Sequence, residues 1–272
     1  PLDYSGRLSD SDIRTFDEAS RKDWLEIRER DNPEVDTVVV RNTSRHPVFM
    51  MNGELLAGGR QNRVIRDDIL LEARSSSVSV PVYCIEKERW EDRKVAFASA
   101  KTSASPALRQ KALAGEEQSA IWHEVDDQHR VAKVASRTRD YQQLYTDRAT
   151  SRMLDGYVER FLPILARDTI GLAVARDGRI IAIDIFGNSA LCSALREKLI
   201  RSYAVDALRY ADHAPTDDLD AGDVRRVLRR TLTAEFGKRT TPGGGTLLSI
   251  SGAVRGSALI WNGELVHMSI FE

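Results

Sequence analysis

The sequence is poor in cysteine and has no long apolar run. Its two cysteines, Cys84 and Cys192, lie far apart among 272 residues, and neither has His or Cys neighbours at the spacing of zinc ligands. They fit free thiols in a reducing compartment. No apolar run approaches the roughly 20 residues that a membrane-spanning helix needs. The opening PLDYSGRLSD lacks the basic-then-apolar pattern of a signal peptide, so we expect a cytoplasmic protein that does not enter a membrane.

Net charge is also nearly absent. The 40 Lys and Arg residues and 41 Asp and Glu residues give a net charge of −1, so no global field recruits nucleic acid. The local exception is the basic stretch from Arg225 to Arg239, which is followed by Gly243-Gly244-Gly245. Because these glycines lead into a strand pattern, they do not form a Walker loop. A solvated arginine face accounts for the stretch as well as a phosphate site does.

What the sequence does contain is the composition of a globular protein with a mixed fold. Apolar residues make up 42% and charged residues 30%. Strand patterns dominate before about residue 100, and helices mixed with hairpins follow without βαβ alternation. We therefore predict an α+β fold whose β-rich N-terminal part is an antiparallel sandwich or barrel-like. The Ala- and Ser-rich stretch 98–106 is a candidate linker between domains at 1–100 and 101–272, with one continuous domain as the alternative.

Three dipeptides between apolar runs indicate β-hairpins. They are Asn52-Gly53, Asp177-Gly178 and Asn262-Gly263, which suit the two positive φ angles of a type I′ turn. The letters NGEL occur at both Asn-Gly turns, which is too short a match to establish a duplication. We predict tight hairpins at all three positions.

The stretch after the first Asn-Gly turn carries candidate ligand-binding residues. Gly58-Gly59 permits a bulge or a close approach of a ligand to the backbone. On a strand from 61 to 65, side chains alternate, so Gln61 and Arg63 share one face and Asn62 points to the other. Arg63 could present its planar fork to a phosphate or carboxylate, with Gln61 beside it. The structural alternative is that Arg63 pairs with a carboxylate and ties two strands together.

A second strand, from Val78 to Glu86, ends in a carboxylate. Alternation places Glu86 on the same face as the valines, so Glu86 continues an apolar stripe and needs a partner or a raised pKa. Arg63, Arg89 or a ligand could supply that partner. Pro81 cannot donate to a ladder, which predicts an edge strand or a bulge. Trp90 offers a stacking wall or a core plug.

Two further groups could carry chemistry. Asp184 lies in an apolar run, IDIF, where a buried carboxylate is costly unless it is paired. We expect it to bond to the following turn, with a functional role as the alternative. His123 and Asp127 stand four residues apart on a predicted helix but lack a third ligand nearby, so we predict no metal site.

The motifs in these two strands resemble a known bacterial family. The resemblance rests on Gly53-Glu54, on GGRQNR at 58–63 and on PVYCIEKERW at 81–90. The later stretches 184–208 and 256–272 also resemble sequences of this family. The family is named for its association with ADP-ribosylglycohydrolases and with rhodanese or phosphatase-superfamily proteins. The resemblance implies a role near NAD or ADP-ribose metabolism, at the level of association only.

These observations support three functional hypotheses. The first is a domain that binds or processes a small polar or anionic, nucleotide-like ligand without a cofactor. Glu54 and Glu86 are then the candidate catalytic carboxylates, and the candidate ligand-binding residues are Gln61, Asn62, Arg63, Arg89 and Trp90. An acid–base role for Glu86 would need a pKa raised toward neutrality. The second hypothesis is a non-catalytic interaction domain pinned together by the same residues, and the third, nucleic-acid binding, is disfavoured by the charge balance.

Overall fold

The computed structural model describes residues 13–30, 35–89, 95–210 and 219–272. In these ranges the chain forms the predicted α+β fold, with strands dominant in its N-terminal part. The strands are β1 (Arg14–Thr15), β2 (Leu25–Arg28), β3 (Thr37–Asn42), β4 (Val48–Met50), β5 (Glu54–Ala57), β6 (Arg63–Ile65), β7 (Ile69–Leu71), β8 (Val78–Cys84), β9 (Ala98–Ser103), β10 (Gly171–Arg176), β11 (Arg179–Phe186), β12 (Glu235–Arg239), β13 (Thr246–Ser251), β14 (Arg255–Trp261) and β15 (Glu264–Phe271). The helices are α1 (Phe16–Arg21), α2 (Pro106–Ala114), α3 (Gln118–Ala132), α4 (Gln143–Thr146), α5 (Arg148–Phe161), α6 (Ser189–Ala207) and α7 (Ala221–Leu232).

The N-terminal part holds a six-stranded antiparallel sheet that curls into a half-barrel, in the order β2-β3-β8-β6-β5-β9. Strand β8 is interior, so the prediction that Pro81 marks an edge is wrong. The strand changes partner at the proline: Thr37 of β3 stands opposite Pro81, and Ile65 of β6 stands opposite Val82. The missing N–H therefore falls where one ladder ends and the next begins, which is a tolerated position for proline.

The stretch predicted as a linker is part of this sheet. Residues Ala98–Ser103 form β9, which pairs with β5. Ser105 then caps α2 by accepting a hydrogen bond from the Leu108 N–H at 3.4 Å, with Pro106 in the first turn. Short polar residues followed by a proline are typical of a helix N-terminus as well as of a linker. Here they form the N-terminus of α2.

Two of the three predicted hairpins are confirmed. Both central residues have positive φ at Asp177-Gly178 and at Asn262-Gly263, and each turn joins paired antiparallel strands. The prediction for Asn52-Gly53 is wrong, because only Gly53 has positive φ and the flanking strands belong to different sheets. Strand β4 pairs with β7 and, in parallel, with β1, whereas β5 joins the half-barrel.

The C-terminal sheet is antiparallel, in the order β10-β11-β15-β14-β13-β12. Along β11, Phe186 packs in a core with α6, and Ile183 packs on the other face in a core with α7. Asn188 caps α6 by accepting a hydrogen bond from the Leu191 N–H at 2.8 Å. The cap of α7 is Asp220, and Asp223 completes a capping box with it.

Both cysteines are free and buried. None of the helices in the described ranges combines the length and the apolarity that a bilayer crossing requires.

Candidate functional site

The glycine pair after β5 lets two segments of the chain approach each other closely. Gly58 and Gly59 both have positive φ. A Cβ on Gly58 would lie 2.5 Å from the Ala96 carbonyl oxygen, and one on Gly59 would lie 2.2 Å from the Phe97 ring. The close approach predicted for these glycines is therefore made by the chain itself, and it fixes the loop that leads to Asn62.

Asn62 connects three segments. Its backbone N–H donates to Glu86 Oε2 at 3.1 Å, and its side-chain Nδ2 donates to Asp140 Oδ2 at 3.0 Å. Its Oδ1 accepts from the Gly58 N–H at 3.0 Å and from Arg89 Nη2 at 3.2 Å. Asn62 thereby holds together the loop after β5, the segment after β8 and the segment before α4.

Glu86 finds its partner in Arg89. Arg89 Nη2 lies 2.7 Å from Glu86 Oε2, and Thr138 Oγ1 donates to Glu86 Oε1 at 2.9 Å. Burial opposes ionisation of Glu86, but donation from Arg89, Asn62 and Thr138 outweighs it and holds its pKa below the usual value. This is the opposite of the raised pKa that an acid–base role for Glu86 would need.

Arg89 also binds the glycine loop. Its Nη1 donates to the Gly59 carbonyl at 2.9 Å, and its Nη2 lies 3.3 Å from the Gly58 carbonyl. A guanidinium so engaged clamps the backbone of the chain, and it has little capacity left for an incoming anion.

The group with a pKa near neutrality is Asp140, which the sequence did not single out. Burial and, to a smaller extent, the negative charge of Glu86 together raise its pKa to about 6, against the donation from Asn62. Its backbone forms an isolated bridge with Glu86. Asp140 lies 54 residues after Glu86 in a segment without a clear periodic pattern, so no local signal points to it.

Asn62, Glu86, Arg89 and Asp140, which we call the motif cluster, border a cavity of about 240 Å³. We call this cavity the motif pocket. Gly58 and Gly59 form part of its wall, and Val95, which is 58% exposed, stands at its rim. The motif pocket therefore brings two carboxyl groups of different proton affinity to an opening in the surface.

Gln61 and Arg63 lie behind the motif pocket. Gln61 Nε2 donates to the Glu86 carbonyl at 2.9 Å, and Arg63 Nη1 donates to Gln61 Oε1 at 3.1 Å. Arg63 is fully buried opposite Cys84 and lies 3.8 Å from Glu29. Burial lowers the pKa of Arg63. Arg63 thus connects β6 to Glu29, which follows β2, and it does not line the motif pocket; a role for Arg63 in ligand binding stays a prediction.

The remaining two candidates lie elsewhere. Glu54 is fully buried, accepts from the Met51 N–H at 2.8 Å and forms an ion pair with Lys198, which also lies 2.7 Å from Asp17. Burial raises the pKa of Glu54 despite Lys198. Trp90 lies outside the described residues.

Asp184 belongs to a second cluster of buried charge. Its oxygens accept from Arg109 at 2.9 and 2.6 Å, from Tyr203 at 2.5 Å and from His267 Nε2 at 3.1 Å. His267 Nδ1 lies 2.7 Å from Asp68 Oδ2. The expectation that Asp184 would bond to the following turn is therefore wrong. We call Asp68, Arg109, Asp184 and His267 the buried network.

The buried network explains the failed hairpin at Asn52. The backbone N–H of Asn52 donates to Asp68 at 2.7 Å, and its Oδ1 accepts from Arg109 Nε at 3.1 Å. Its Nδ2 donates to the Arg66 carbonyl at 2.6 Å. These bonds hold Asn52 inside the protein. In a type I′ turn facing solvent, Asn52 could not make them.

Asp127 and the basic stretch both form ion pairs within the chain. Asp127 pairs with Arg130 and lies 2.7 Å from Arg209, and the described residues contain no group of three His, Cys, Asp or Glu placed to hold a metal ion. In the basic stretch, Arg230 pairs with Glu272, and Arg239 lies 2.9 Å from Asp67.

Comparison with known protein families places the chain in a family. The profile for the ARG and Rhodanese-Phosphatase-superfamily-associated Protein domain, ARPP-1, matches residues 1–271. The chain belongs to the ARPP-1 family. The family name records association with ADP-ribosylglycohydrolase and rhodanese-phosphatase proteins. Searches of curated proteins and of solved structures found no significant match.

Proposed function

We propose that this ARPP-1 domain binds the ribosyl part of an ADP-ribose-related compound in the motif pocket, and that Asp140 exchanges a proton with it there. The observation that carries the proposal is the pair of carboxyl groups at one opening: Glu86 with a lowered pKa and Asp140 with a pKa of about 6. Carboxyl groups whose environments separate their pKa values are the usual arrangement for general acid–base chemistry.

The size and polarity of the motif pocket favour a sugar over a phosphate. Ligand pockets for whole drug-sized molecules have volumes of about 300–1,000 Å³, whereas this one has about 240 Å³, enough for one ring. Glu86 Oε1 and both carboxyl oxygens of Asp140 accept one hydrogen bond each within the chain, and each can accept a second one from a diol. Two carboxyls against one guanidinium disfavour an anion. The rest of a nucleotide-like ligand would extend past Val95.

Hydrolysis of a ribosyl bond is the reaction class that suits this pair. Protonated Asp140 would give its proton to the leaving group as the bond at the anomeric carbon breaks, and ionised Glu86 would stabilise the positive charge that develops on the sugar. Water would supply the hydroxyl to the sugar and return a proton to Asp140, so the protein is restored.

The test compares Asp140→Asn with Asp177→Asn as a matched control. Asparagine retains the size of Asp140 and its bond from Asn62 but cannot exchange the proton. Asp177 lies in a type I′ turn, where asparagine is equally well accepted. Calorimetric binding of ADP-ribose, NAD and ribose, with product analysis by chromatography, should show at least a roughly hundredfold loss of turnover for Asp140→Asn alone. Unchanged binding and turnover in Asp140→Asn would refute the proposal.

A non-catalytic interaction domain is the second candidate, and the saturation of Arg89 and Asn62 by bonds within the chain favours it. On this reading, Asn62→Ala and Glu86→Ala lower the melting temperature and none of the three compounds binds. Thermal melts recorded with and without ADP-ribose separate the two candidates, because a ligand that binds the folded state raises its melting temperature.

A further inference from the structure

A second cavity, of about 550 Å³, is lined largely by cations. It lies where β1 and the end of α1 meet the loop before β4 and the loop after β7. We call it the basic pocket, and its lining residues are Arg14, Lys22, Trp24, Thr43, Ser44, Arg45, His46 and Arg74. None of these is acidic, whereas the motif pocket has two carboxyl groups and one guanidinium.

The basic pocket and the motif pocket lie at opposite ends of β2. Trp24 immediately precedes that strand, and Glu29 follows it and contacts Arg60 at 3.4 Å, next to the motif. Five residues of extended chain span about 17 Å, so a ligand in one pocket leaves the other accessible.

The walls of the basic pocket are fixed by a buried asparagine. Asn42 is fully buried, and its Nδ2 donates to the His46 carbonyl at 2.7 Å and to the Glu72 carbonyl at 2.9 Å. The Arg74 N–H donates to the Ser44 carbonyl at 2.8 Å. These bonds hold the loop of Arg45 and His46 against the loop of Arg74. The backbone positions of these cations around the cavity are therefore fixed before any ligand binds.

Among the described residues, most of the positive charge there has no acidic partner. Lys22 has Glu18 at 3.3 Å and lies 4.5 Å above the Trp24 ring. For Arg14, Arg45 and Arg74 no acidic partner exists among the described residues, and Arg14 Nε is shielded from solvent without a hydrogen-bond acceptor. Three guanidiniums around one cavity favour binding of a multivalent anion over single solvent ions.

We propose that the basic pocket binds a small phosphate ester with two or more negative charges, of the nucleoside diphosphate or sugar phosphate class. Guanidinium forks match phosphate oxygens in pairs, and the volume suits a ligand of nucleotide size. The basic stretch on α7 lacks this character, because Asp223 lies 2.9 Å from Arg226 and Glu272 pairs with Arg230.

The experiment measures binding of inorganic pyrophosphate, ADP, adenosine and a short single-stranded RNA to the whole chain by titration calorimetry. The test variant is Arg45→Ala with Arg74→Gln, both exposed, and the control is Arg225→Ala with Arg229→Ala on the exposed face of α7. We expect pyrophosphate and ADP to bind, adenosine not to bind, and the test variant to lose at least about tenfold in affinity for both anions while the control keeps its affinity.

Comparing the affinities for pyrophosphate and ADP also shows which part of the ligand the pocket recognises. Equal affinity for pyrophosphate and ADP supports recognition of the phosphates alone, and tighter binding of ADP supports added contact with the nucleoside. The proposal fails if neither anion binds, if both double variants bind equally well, or if the RNA binds more tightly than ADP and loses affinity in the control variant as well. Pyrophosphate binding should be unchanged in Asp140→Asn, so its outcome is independent of the function proposed for the motif pocket.

Discussion

The motif cluster and the buried network use the same residue types to different effect. The buried network sets two acids, Asp68 and Asp184, against two bases, Arg109 and His267, and all four are fully buried. The motif cluster sets two acids, Glu86 and Asp140, against Arg89 alone, and it borders an opening. Charges that are balanced and shielded from solvent stabilise the fold, whereas the excess carboxyl group beside an opening is the one that the proposed function uses.

The largest expected effect comes from breaking the balance in the buried network. Arg109→Met should lower the free energy of unfolding by about 3–5 kcal/mol, because it leaves Asp184 buried without its bidentate partner. Lys111→Met on the same helix is the control, since its contact with Glu116 at 3.5 Å is exposed, and it should cost less than about 1 kcal/mol. Urea denaturation of both variants measures the difference, and equal costs would show that the network is not special.

The next effect is a dependence of stability on pH. Burial disfavours protonated His267, but Asp68 and Asp184 outweigh it and raise its pKa to about 9. Since the folded pKa exceeds the unfolded value of about 6.5, this stabilisation is complete below pH 6.5 and is lost as the pH rises through 9. The loss is of order 3 kcal/mol. Urea midpoints from pH 6 to 10 should fall in the wild type and stay flatter in His267→Gln, and parallel curves would contradict the assignment.

A smaller effect distinguishes two turns with the same letters. Gly263→Ala should cost about 1 kcal/mol, because φ is +80° but nothing lies within 4 Å of the added Cβ. Gly53→Ala should cost more, because φ is +88° and the Cβ would lie 2.4 Å from Arg109 Cγ. Thermal melts rank the two variants, and a reversed order would mean that Arg109 moves aside without loss.

The smallest expected effect concerns proton affinity in the motif cluster. The carboxyl carbon of Asp140 should titrate near pH 6 by NMR. In Glu86→Gln its midpoint should move down toward the usual aspartate range, because the negative charge that opposes ionisation of Asp140 is gone. A midpoint that does not move would show that the charge of Glu86 does not affect the pKa of Asp140, and it would contradict the function proposed for the motif pocket.

Local chemistry could be predicted from the sequence, and tertiary partners could not. Asp177-Gly178 and Asn262-Gly263 fold as their letters demand, because their φ preferences meet no competing contact. The same reasoning fails at Asn52-Gly53, where Asp68 and Arg109 bind the asparagine. The sequence predicts which polar residues gather near these two strands. It does not predict that Asn62, Glu86 and Arg89 line the cavity while Arg63 lies behind it, because this depends on how the half-barrel curls. Whether the chain divides near residue 100 stays a prediction.

The bond between Asp68 and His267 joins residues that are 199 positions apart. During synthesis the half-barrel strands leave the ribosome long before the histidine that neutralises Asp68 exists. Until the last strand arrives, Asp68 lacks His267 as a partner, and burying a carboxylate without its partner is costly. We therefore expect removal of the last strand to destabilise the region around Asp68 as well as the C-terminal sheet.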